Sequence, residues 1–295
     1  MTPNQKIIKN CAIVFATCLL IGIVLVALKV IIGVFGAFVP NQKENTNVTA
    51  TEYDDEEEEQ KMDTQAVYEN VKNLKIKSGI YKVQIESDSS VNKGVKVSLS
   101  NVSSDYKIKY KEGSKTLETE DNDDIFHFWK DKDEISKGTI TISVSDNTEL
   151  DKVRVEMGVG TVTIEDIIMT ELDVKCGVGA FACENVKAEH ADIEGGVGSV
   201  RCDDVMFDGL EVEGGVGDIK IDGVLTGKTS VVAGMGAIEL DINGKKENYN
   251  LNVETGLGSI YIDGKKCSDI EDNNNSQNNL LDVEGGIGSV KINFD

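Results

Sequence analysis

Histidine, arginine and tryptophan are nearly absent from this sequence. Its 295 residues include two histidines, His127 and His190, two arginines and one tryptophan. No Ser, His and Asp set and no HExxH spacing appears, so common signatures of hydrolases and zinc proteases are missing. We therefore predict that the protein is not an enzyme, and we assign no catalytic, cofactor-binding or metal-binding residues.

Positive charge is scarce as well. Thirty Lys and Arg stand against 52 Asp and Glu, which gives a formal net charge of −22. A surface of this charge repels nucleic-acid phosphates and anionic lipid headgroups. We therefore expect no nucleic acid as a partner, and the sequence predicts no small-molecule substrate.

Paired cysteines are lacking. None of the six cysteines forms a CxxC pair, and the chain is far longer than the small secreted domains that disulfides hold together. We interpret them as small apolar core residues. They are Cys11, Cys18, Cys176, Cys183, Cys202 and Cys267.

The longest apolar run lies near the N-terminus. Residues 11–39 contain one charge, Lys29, and as a helix rising about 1.5 Å per residue they exceed the roughly 30 Å of membrane hydrocarbon. Two lysines precede the run and an acidic stretch follows it. This pattern predicts a cytoplasmic N-terminus at 1–10, a single-pass transmembrane helix at 11–39 and an extracytoplasmic remainder in the cell membrane. A cleaved signal peptide is the alternative, although its apolar region would be shorter.

The next segment, residues 40–65, has almost no apolar periodicity. It contains six consecutive acidic residues, from Asp54 to Glu59. Like charges extend such a segment and oppose folding, so we predict an acidic, disordered linker that keeps the following domain close to the membrane. A specific site for a cation or a partner is the alternative.

A repeated Gly-x-Gly organises the rest of the chain. The first four intervals between copies are nineteen residues each, and the next two are longer by three and by eleven residues. A fixed period of this kind indicates a solenoid of stacked coils. The copies begin at Gly158, Gly177, Gly196, Gly215, Gly234, Gly256 and Gly286.

Apolar and polar residues alternate on both sides of each Gly-x-Gly. In one repeat Leu210 and Val212 precede the glycines, and Ile219 and Ile221 follow them. A two-residue period is typical of strands with one buried face. Each repeat is therefore predicted to form two short strands, with Gly-x-Gly at one corner and a polar turn at the other. We expect the apolar residue between the glycines to point inward.

The predicted fold is all-β: a single-stranded, right-handed β-helix or solenoid of about nineteen-residue coils, preceded by the transmembrane helix. The solenoid spans 66–295. Residues 66–150 show the strand rhythm without the glycines and are predicted to form an irregular N-terminal cap, with a separate small β-domain as the alternative. Residues 151–295 carry the repeats, and the polar stretch 265–279 is predicted to be an inserted loop without strand character.

An acidic residue occupies the same place in six consecutive repeats. Stacking would put these side chains about 4.8 Å apart, which is costly for like charges unless water or cations separate them. Calcium is one interpretation, but the stretch GGVGDIKID has its aspartate one position too early for the calcium-binding nonapeptide. We favour solvated carboxylates. The residues are Glu165, Glu184, Asp203, Asp222, Asp241 and Asp263.

Two more features suggest contacts in the core. Cys183 and Cys202 share one repeat position and should lie side by side on adjacent coils, as free thiols or, alternatively, as a disulfide. Trp129 is expected to be buried under the cap, with stacking on a sugar as the alternative.

Several stretches resemble the bacterial putative-adhesin family, a domain of unknown function with β-helical Gly-x-Gly repeats. The opening LKIKSGIYKVQIESD, the passage GTITISVSDNTELDKVRVEMGVGTVTIEDI and repeats such as VEGGVGDIKIDGV carry the resemblance, which covers about Val67 to Asp295. It implies the β-helical fold in a membrane-anchored member. It supplies no catalytic residues, because the family has none established.

These expectations favour a non-enzymatic, membrane-anchored cell-envelope protein that presents its solenoid surface for adhesion or binding. The alternative is an envelope-stress sensing or regulatory partner of another membrane protein. A polysaccharide-active β-helix enzyme is a more remote alternative. The expected partner is an envelope component or a membrane protein, and no motif identifies it.

Overall fold

A computed structural model of the protein describes residues 61–121, 138–146, 148–271 and 278–295. Within these ranges no helix is long and apolar enough to cross a membrane. The predicted transmembrane helix at 11–39 lies outside the described residues, as does most of the predicted linker at 40–65.

The described part consists of β-strands with short 3₁₀ turns at Glu112–Ser114 and Lys246–Asn248. Strands β1 to β7 are Lys61–Tyr68, Asn73–Ser78, Lys82–Ser87, Val95–Ser103, Lys107–Lys111, Thr116–Glu120 and Thr139–Val144. Strands β8 to β12 are Leu150–Glu165, Ile168–Glu184, Lys187–Val197, Val200–Val216 and Ile219–Met235. Strands β13 to β17 are Ile238–Ile242, Tyr249–Ile262, Lys265–Cys267, Ile270–Glu271 and Asn279–Phe294.

The two-residue alternation forms the core as predicted. Ile219 and Ile221 are 2% and 0% exposed, and Leu210 and Val212 before the glycines are buried as well. Ile219 lies beside Ile238 of the next coil, so equivalent residues form buried columns across the stack. A fully buried aliphatic side chain contributes about 1.5–3 kcal/mol, and one coil alone cannot bury its apolar face.

The strands form two hydrogen-bonded layers that share one core. Layer A contains the segments before each Gly-x-Gly, in the order β5, β6, β2, β8, β9, β10, β11, β12, β17, β14 and β16. Layer B contains the segments after it, in the order β1, β4, β7, β3, β8, β9, β11, β12, β13, β17, β14 and β15. The long parallel sheet confirms an all-β, solenoid-like fold. Its right-handedness stays a prediction.

The spatial order of the coils differs from the sequence order at both ends. The C-terminal strand β17 lies between β12–β13 and β14, and the pair β2–β3 lies between β6–β7 and β8. The expectation that the acidic residues of six consecutive repeats stack as neighbours is therefore wrong for the last two of them, Asp241 and Asp263. The longer intervals between the last Gly-x-Gly copies explain the difference at the C-terminal end. Three additional residues let the chain pass over one strand position and form β14, and eleven additional residues let it return to that position as β17.

The prediction that 265–279 has no strand character is wrong in its described part. β15 pairs antiparallel with Ile260 to Ile262, and β16 pairs with Asn252 and Val253, all on β14. β14 is the outermost parallel strand at this end, so its edge exposes backbone groups that need partners. The insertion supplies those partners, which its polar composition does not reveal.

The corner opposite the glycines is a polar turn, as predicted. Asp166, Asn185 and Asp204 have left-handed conformations, with φ of 58°, 50° and 51°. Asn and Asp tolerate this region better than other non-glycine residues. Asn185 Nδ2 donates a hydrogen bond to Asp166 Oδ1 at 2.6 Å, which links the turns of adjacent coils.

Candidate functional site

Stacked glycines form one corner of each repeat. A Cβ on Gly198 would lie 1.5 Å from Gly179 O of the adjacent coil, and φ at Gly198 is +147°. A Cβ on Gly196 would lie 2.2 Å from Gly177 O. No side chain fits at either position, so the close approach of the two backbones requires glycine at both. The residue between them is therefore flanked by backbone without side chains.

The residue between the glycines points outward, so the prediction that it faces the core is wrong. Val197 is 50% exposed and Leu257 is 71% exposed. In the coil of Val197 the interior is already filled by Val200, because a Cβ on Gly195 would lie 2.9 Å from Val200 Cγ2. The chain turns here, which interrupts the alternation that holds within each strand.

These outward residues form a continuous row, which we call the apolar ridge. Each lies beside the equivalent residue of the next strand, and Ile287 lies between Met235 and Leu257 because β17 is intercalated. At about 4.8 Å between strands, the row is about 29 Å long. The ridge consists of the exposed Val178, Val197, Val216, Met235, Ile287 and Leu257, with the partly buried Val159 at one end.

Charges of opposite sign flank the ridge in three coils. In each, a glutamate lies three positions before the ridge residue on layer A, and a cation lies four positions after it on layer B. The two layers face each other through the core, so these side chains occupy opposite outer faces. The acids are Glu194, Glu213 and Glu284, and the cations are Arg201, Lys220 and Lys291. The charge is reversed at two equivalent positions, where Lys175 lies beside Glu194 and Glu239 lies between Lys220 and Lys291.

Carboxylates are crowded on the layer A side. Partial burial raises the pKa of Glu213, and the neighbouring Glu194 raises it further. Burial and then the nearby Glu254 raise the pKa of Glu284. Among the described residues, no cation forms an ion pair with Glu213 or Glu284. Glu194 forms an ion pair with Lys175 on the adjacent strand, so the negative charge on this side is compensated at Glu194 and lacks an ion pair at Glu213 and Glu284.

The acidic column predicted from the repeats is present but interrupted. Glu165 and Glu184 lie in register on adjacent strands. Asn293 lies between Asp241 and Asp263, because β17 separates β13 from β14. The like charges at this end of the column are thus separated by a neutral amide.

Cations of the chain itself neutralise part of this column. Arg201 forms an ion pair with Asp203, and Lys220 Nζ lies 3.5 Å from Asp241 Oδ2. Over the described ranges, no group of three or more His, Cys, Asp or Glu side chains is arranged to hold a metal ion. The geometry therefore gives the calcium interpretation no support.

Cys183 and Cys202 lie side by side in the core, as predicted. Both are buried free thiols. A hydrogen bond with Cys202 and burial raise the pKa of Cys183 well above its ordinary range, and burial raises the pKa of Cys176 to about 11. Thiols of high pKa form little thiolate and react slowly, so these cysteines act as core residues.

The other residues singled out from the sequence do not converge on a site. His190 is exposed on layer A beside Glu171. His127 and Trp129 lie outside the described residues. A shallow depression beside β1 is lined by polar side chains such as Asp63 and Ser98. The apolar ridge is thus the most distinctive surface of the described chain.

Comparison with known proteins identifies the family. Residues 71–292 match the family described as Toastrack DUF4097. Among solved structures, the chain is similar to a putative cell adhesion protein from Clostridium sporogenes, with 13% identity, coverage of 80% of this chain and 100% of that one, and a TM-score of 0.38. It is also similar to a putative adhesin from Bacteroides fragilis, with 17% identity, coverage of 80% and 98%, and a TM-score of 0.38. No curated protein matches. Because the family match spans most of its length, the chain belongs to the Toastrack DUF4097 family.

Proposed function

We propose that this protein is a non-enzymatic binding or adhesion module of the cell envelope and that the apolar ridge is its binding surface. The proposal is carried by one observation, an unbroken row of seven apolar side chains on adjacent strands, six of which are exposed. Scattered exposed apolar residues are normal on protein surfaces, whereas contiguous apolar patches mark interaction sites.

The scaffold under the ridge suits this role. Each ridge residue is held between two glycines whose backbones contact the adjacent coil, as Gly198 contacts Gly179. A rigid row loses little conformational freedom on binding, which favours association. The ridge is convex rather than concave, so it suits a macromolecular partner better than a small ligand.

The proposed location follows from the sequence. The apolar segment at 11–39 anchors the chain in the cytoplasmic membrane, and the linker at 40–65 holds the repeats just outside it. The partner is then an envelope component or another membrane protein within reach of the ridge.

The proposal is tested by binding of the full-length protein, immobilised on beads, to envelope preparations from the source bacterium. The variant Val197→Ser/Val216→Ser/Met235→Ser removes the centre of the ridge and is expected to abolish saturable binding. The matched control Ile168→Ser/Met206→Ser removes two other exposed apolar side chains, which are 62% and 46% exposed and lie off the ridge. Equal binding by the ridge variant and the control would contradict the proposal.

A further inference from the structure

We propose that two copies of this chain pair through the outer edge of β1, as antiparallel strands that join their layer B sheets into one. The proposal concerns a surface separate from the apolar ridge, so it goes beyond the proposed function. It is carried by the composition, the shape and the charge of this end of the stack.

The outer edge of β1 lacks the features that protect other sheet edges from pairing. An edge strand exposes unpaired backbone N–H and C=O groups, and proteins blunt such edges with short strands or lysines. In the part of the chain that the structure describes, the other outer edges belong to β5, β15 and β16. β15 has three residues and β16 has two, and β5 carries exposed lysines at alternate positions from Lys107 to Lys111. β1 has eight residues, and none from Thr64 to Tyr68 is charged.

β1 also projects beyond layer A. Outward from β8, layer B adds β3, β7, β4 and β1, whereas layer A adds β2, β6 and β5. β1 therefore extends about one strand spacing, or about 4.8 Å, past β5. The inward residues Ala66 and Tyr68 lie opposite the buried Val97 and Val95 of β4, but both are only half-buried because layer A ends one strand earlier. A strand added to β1 would cover this apolar surface without colliding with β5.

Charge favours a second copy as the source of that strand. The whole chain has a net charge of −22, but residues 61–121, which form β1 to β6, contain eleven Lys against nine Asp and Glu. Two copies repel each other least when they meet at the ends that lack the excess negative charge. A partner edge must also be free and uncharged. Among the described edges of this chain, β1 alone meets both conditions, so it pairs with β1 of the other copy.

A two-fold axis normal to the sheet pairs the two strands antiparallel. This arrangement keeps the inward residues of both copies on one side, so Ala66 and Tyr68 of the two copies form a single apolar surface. It also separates the two β5 strands by about three strand spacings, or about 14 Å, so salt largely screens the repulsion between their lysines. An axis parallel to the strands would instead place the inward residues of the two copies on opposite sides of the sheet.

A bulge in β1 sets the register. The pairing with β4 shifts at Asp63, whose Oδ1 accepts a hydrogen bond from the Asn101 N–H. The regular edge therefore runs from Thr64 to Tyr68, and its centre is Ala66. An axis at this centre places Ala66 of the two copies opposite each other and Thr64 of each copy opposite Tyr68 of the other.

Three factors limit the strength of the dimer. Pairing over five residues buries less than the roughly 800 Å² per partner of a stable interface. Asp63 of each copy would approach Glu69 of the other, and the ion pair of Glu69 with Lys93 compensates only part of that repulsion. The net charge of −22 opposes association as well. We therefore expect a weak, reversible dimer, which anchoring of both chains in one membrane favours by raising their effective concentration.

The first test is sedimentation equilibrium of the full-length protein in density-matched detergent. Gln65 and Val67 are exposed on the outer face of β1, and across the axis each lies opposite the other. Gln65→Lys/Val67→Lys and Gln65→Glu/Val67→Glu should each weaken the dimer by about tenfold or more, because each creates two like-charge contacts. The two variants change the net charge in opposite directions, so a loss in both cannot come from net charge. An equimolar mixture should recover the dimer, since both contacts are then between opposite charges.

The second test is disulfide formation between the copies. Ala66→Cys and the matched control Thr64→Cys are each made in a chain whose Cys11, Cys18 and Cys267 are serine. Across the axis, the Cα atoms at position 66 should lie about 5 Å apart, within reach of a disulfide, whereas those at position 64 should lie about 14 Å apart. Under the same oxidant, Ala66→Cys should therefore form a covalent dimer faster than Thr64→Cys.

Each outcome decides the inference. Loss of the dimer in both charge variants, its recovery in the mixture and faster cross-linking at position 66 support it. A wild type that stays monomeric at about 100 µM, charge variants that dimerise as well as wild type, or a mixture that stays monomeric overturns it. Equal or faster cross-linking at position 64 also overturns it, because the strands would then not pair about Ala66. The ridge variant Val197→Ser/Val216→Ser/Met235→Ser should dimerise like wild type, so a failure of this inference is separate from a failure of the proposed function.

Discussion

Asn293 Nδ2 donates a hydrogen bond to Asp241 Oδ1 at 2.7 Å, although 52 residues separate the two in the chain. The bond exists because the C-terminal strand β17 is intercalated between β13 and β14. The last residues of the chain therefore complete the interior of the stack rather than its end. The edge beyond them is β14, which β15 and β16 cover.

This coil order predicts which engineered cysteines are oxidised to a disulfide. Ser230 on β12 pairs with Asp282 on β17, and Asp282 pairs with Asn252 on β14. Neighbouring strands are about 4.8 Å apart, within the Cα range for a disulfide, and strands two positions apart are about 10 Å apart, beyond it. Ser230→Cys/Asp282→Cys should therefore oxidise faster than Ser230→Cys/Asn252→Cys when both are treated with the same oxidant. These positions are partly exposed, so an oxidant reaches them, whereas it does not reach the buried thiols of Cys183 and Cys202. Non-reducing peptide mapping reads the result, and preferential oxidation of the second pair would show consecutive stacking.

A second prediction concerns the glycine corner. Gly198→Ala should cost more than about 3 kcal/mol of unfolding free energy, because the added Cβ would meet Gly179 O at 1.5 Å and φ is +147°. Gly113→Ala is the control, since a Cβ there has nothing within 4 Å, and it should change the free energy by no more than about 0.5 kcal/mol. Urea denaturation of both variants measures the difference. Equal stability of the two would mean that the coils do not stack this closely.

The sequence predicts the core and the repeat but not the ridge. Inward residues such as Ile219 and Val212 follow from the two-residue period, because alternation depends only on local strand geometry. The orientation of Val197 depends on how the chain turns at Gly196 and Gly198, and an apolar residue there fits either side. The local signal for an outward Val197 is the glycine at position 195. Val200 fills the interior beside Gly195, so no space is left there for Val197.

Strand alternation also does not predict the position of β17 in the stack, for a different reason. Every repeat has a similar pattern of apolar residues, so each coil fits beside any other in register. The order is decided by connection lengths, and the additional residues before Gly256 and Gly286 are the only trace of it in the sequence. A repeat pattern therefore establishes that coils stack, whereas it leaves their sequence of stacking open.

A third prediction uses the crowded acids of layer A. Burial, followed by the neighbouring Asp173, raises the pKa of Asp192 above its ordinary value of 3.8. Its ionised form is thus less favourable in the folded protein, which lowers stability at neutral pH. Asp192→Asn should raise the melting temperature at pH 7. The gain should shrink as the pH falls through the raised pKa and disappear below 3.8, where folded and unfolded chains both hold the proton.

The matched control for this pH effect is Glu247→Gln, which removes one charge from an exposed position in the 3₁₀ turn at Lys246–Asn248. It reduces the net charge equally but lies away from the crowded face. Thermal melts across the pH range compare the two variants. An Asp192→Asn gain that is constant with pH, or that is matched by the control, would contradict the assignment.

A fourth prediction concerns membrane topology. If the anchor at 11–39 has its N-terminus in the cytoplasm, protease added to intact, wall-stripped cells should cut in the linker at 40–65 and release the repeats. A cytoplasmic protein followed in the same sample should stay intact. Survival of the full-length chain until the membrane is permeabilised would place the repeats inside the cell.

The most direct test of the account measures whether the ridge faces solvent. Val197→Cys is made in a chain whose Cys11, Cys18 and Cys267 are serine, so that the remaining native thiols are the buried Cys176, Cys183 and Cys202. Val197 is 50% exposed, so the introduced thiol should react with a maleimide in the folded protein about as fast as in the denatured protein. The native thiols should react only after denaturation. Protection of the thiol at position 197 to the same extent as that of Cys202 would contradict the outward ridge and, with it, the proposed binding surface.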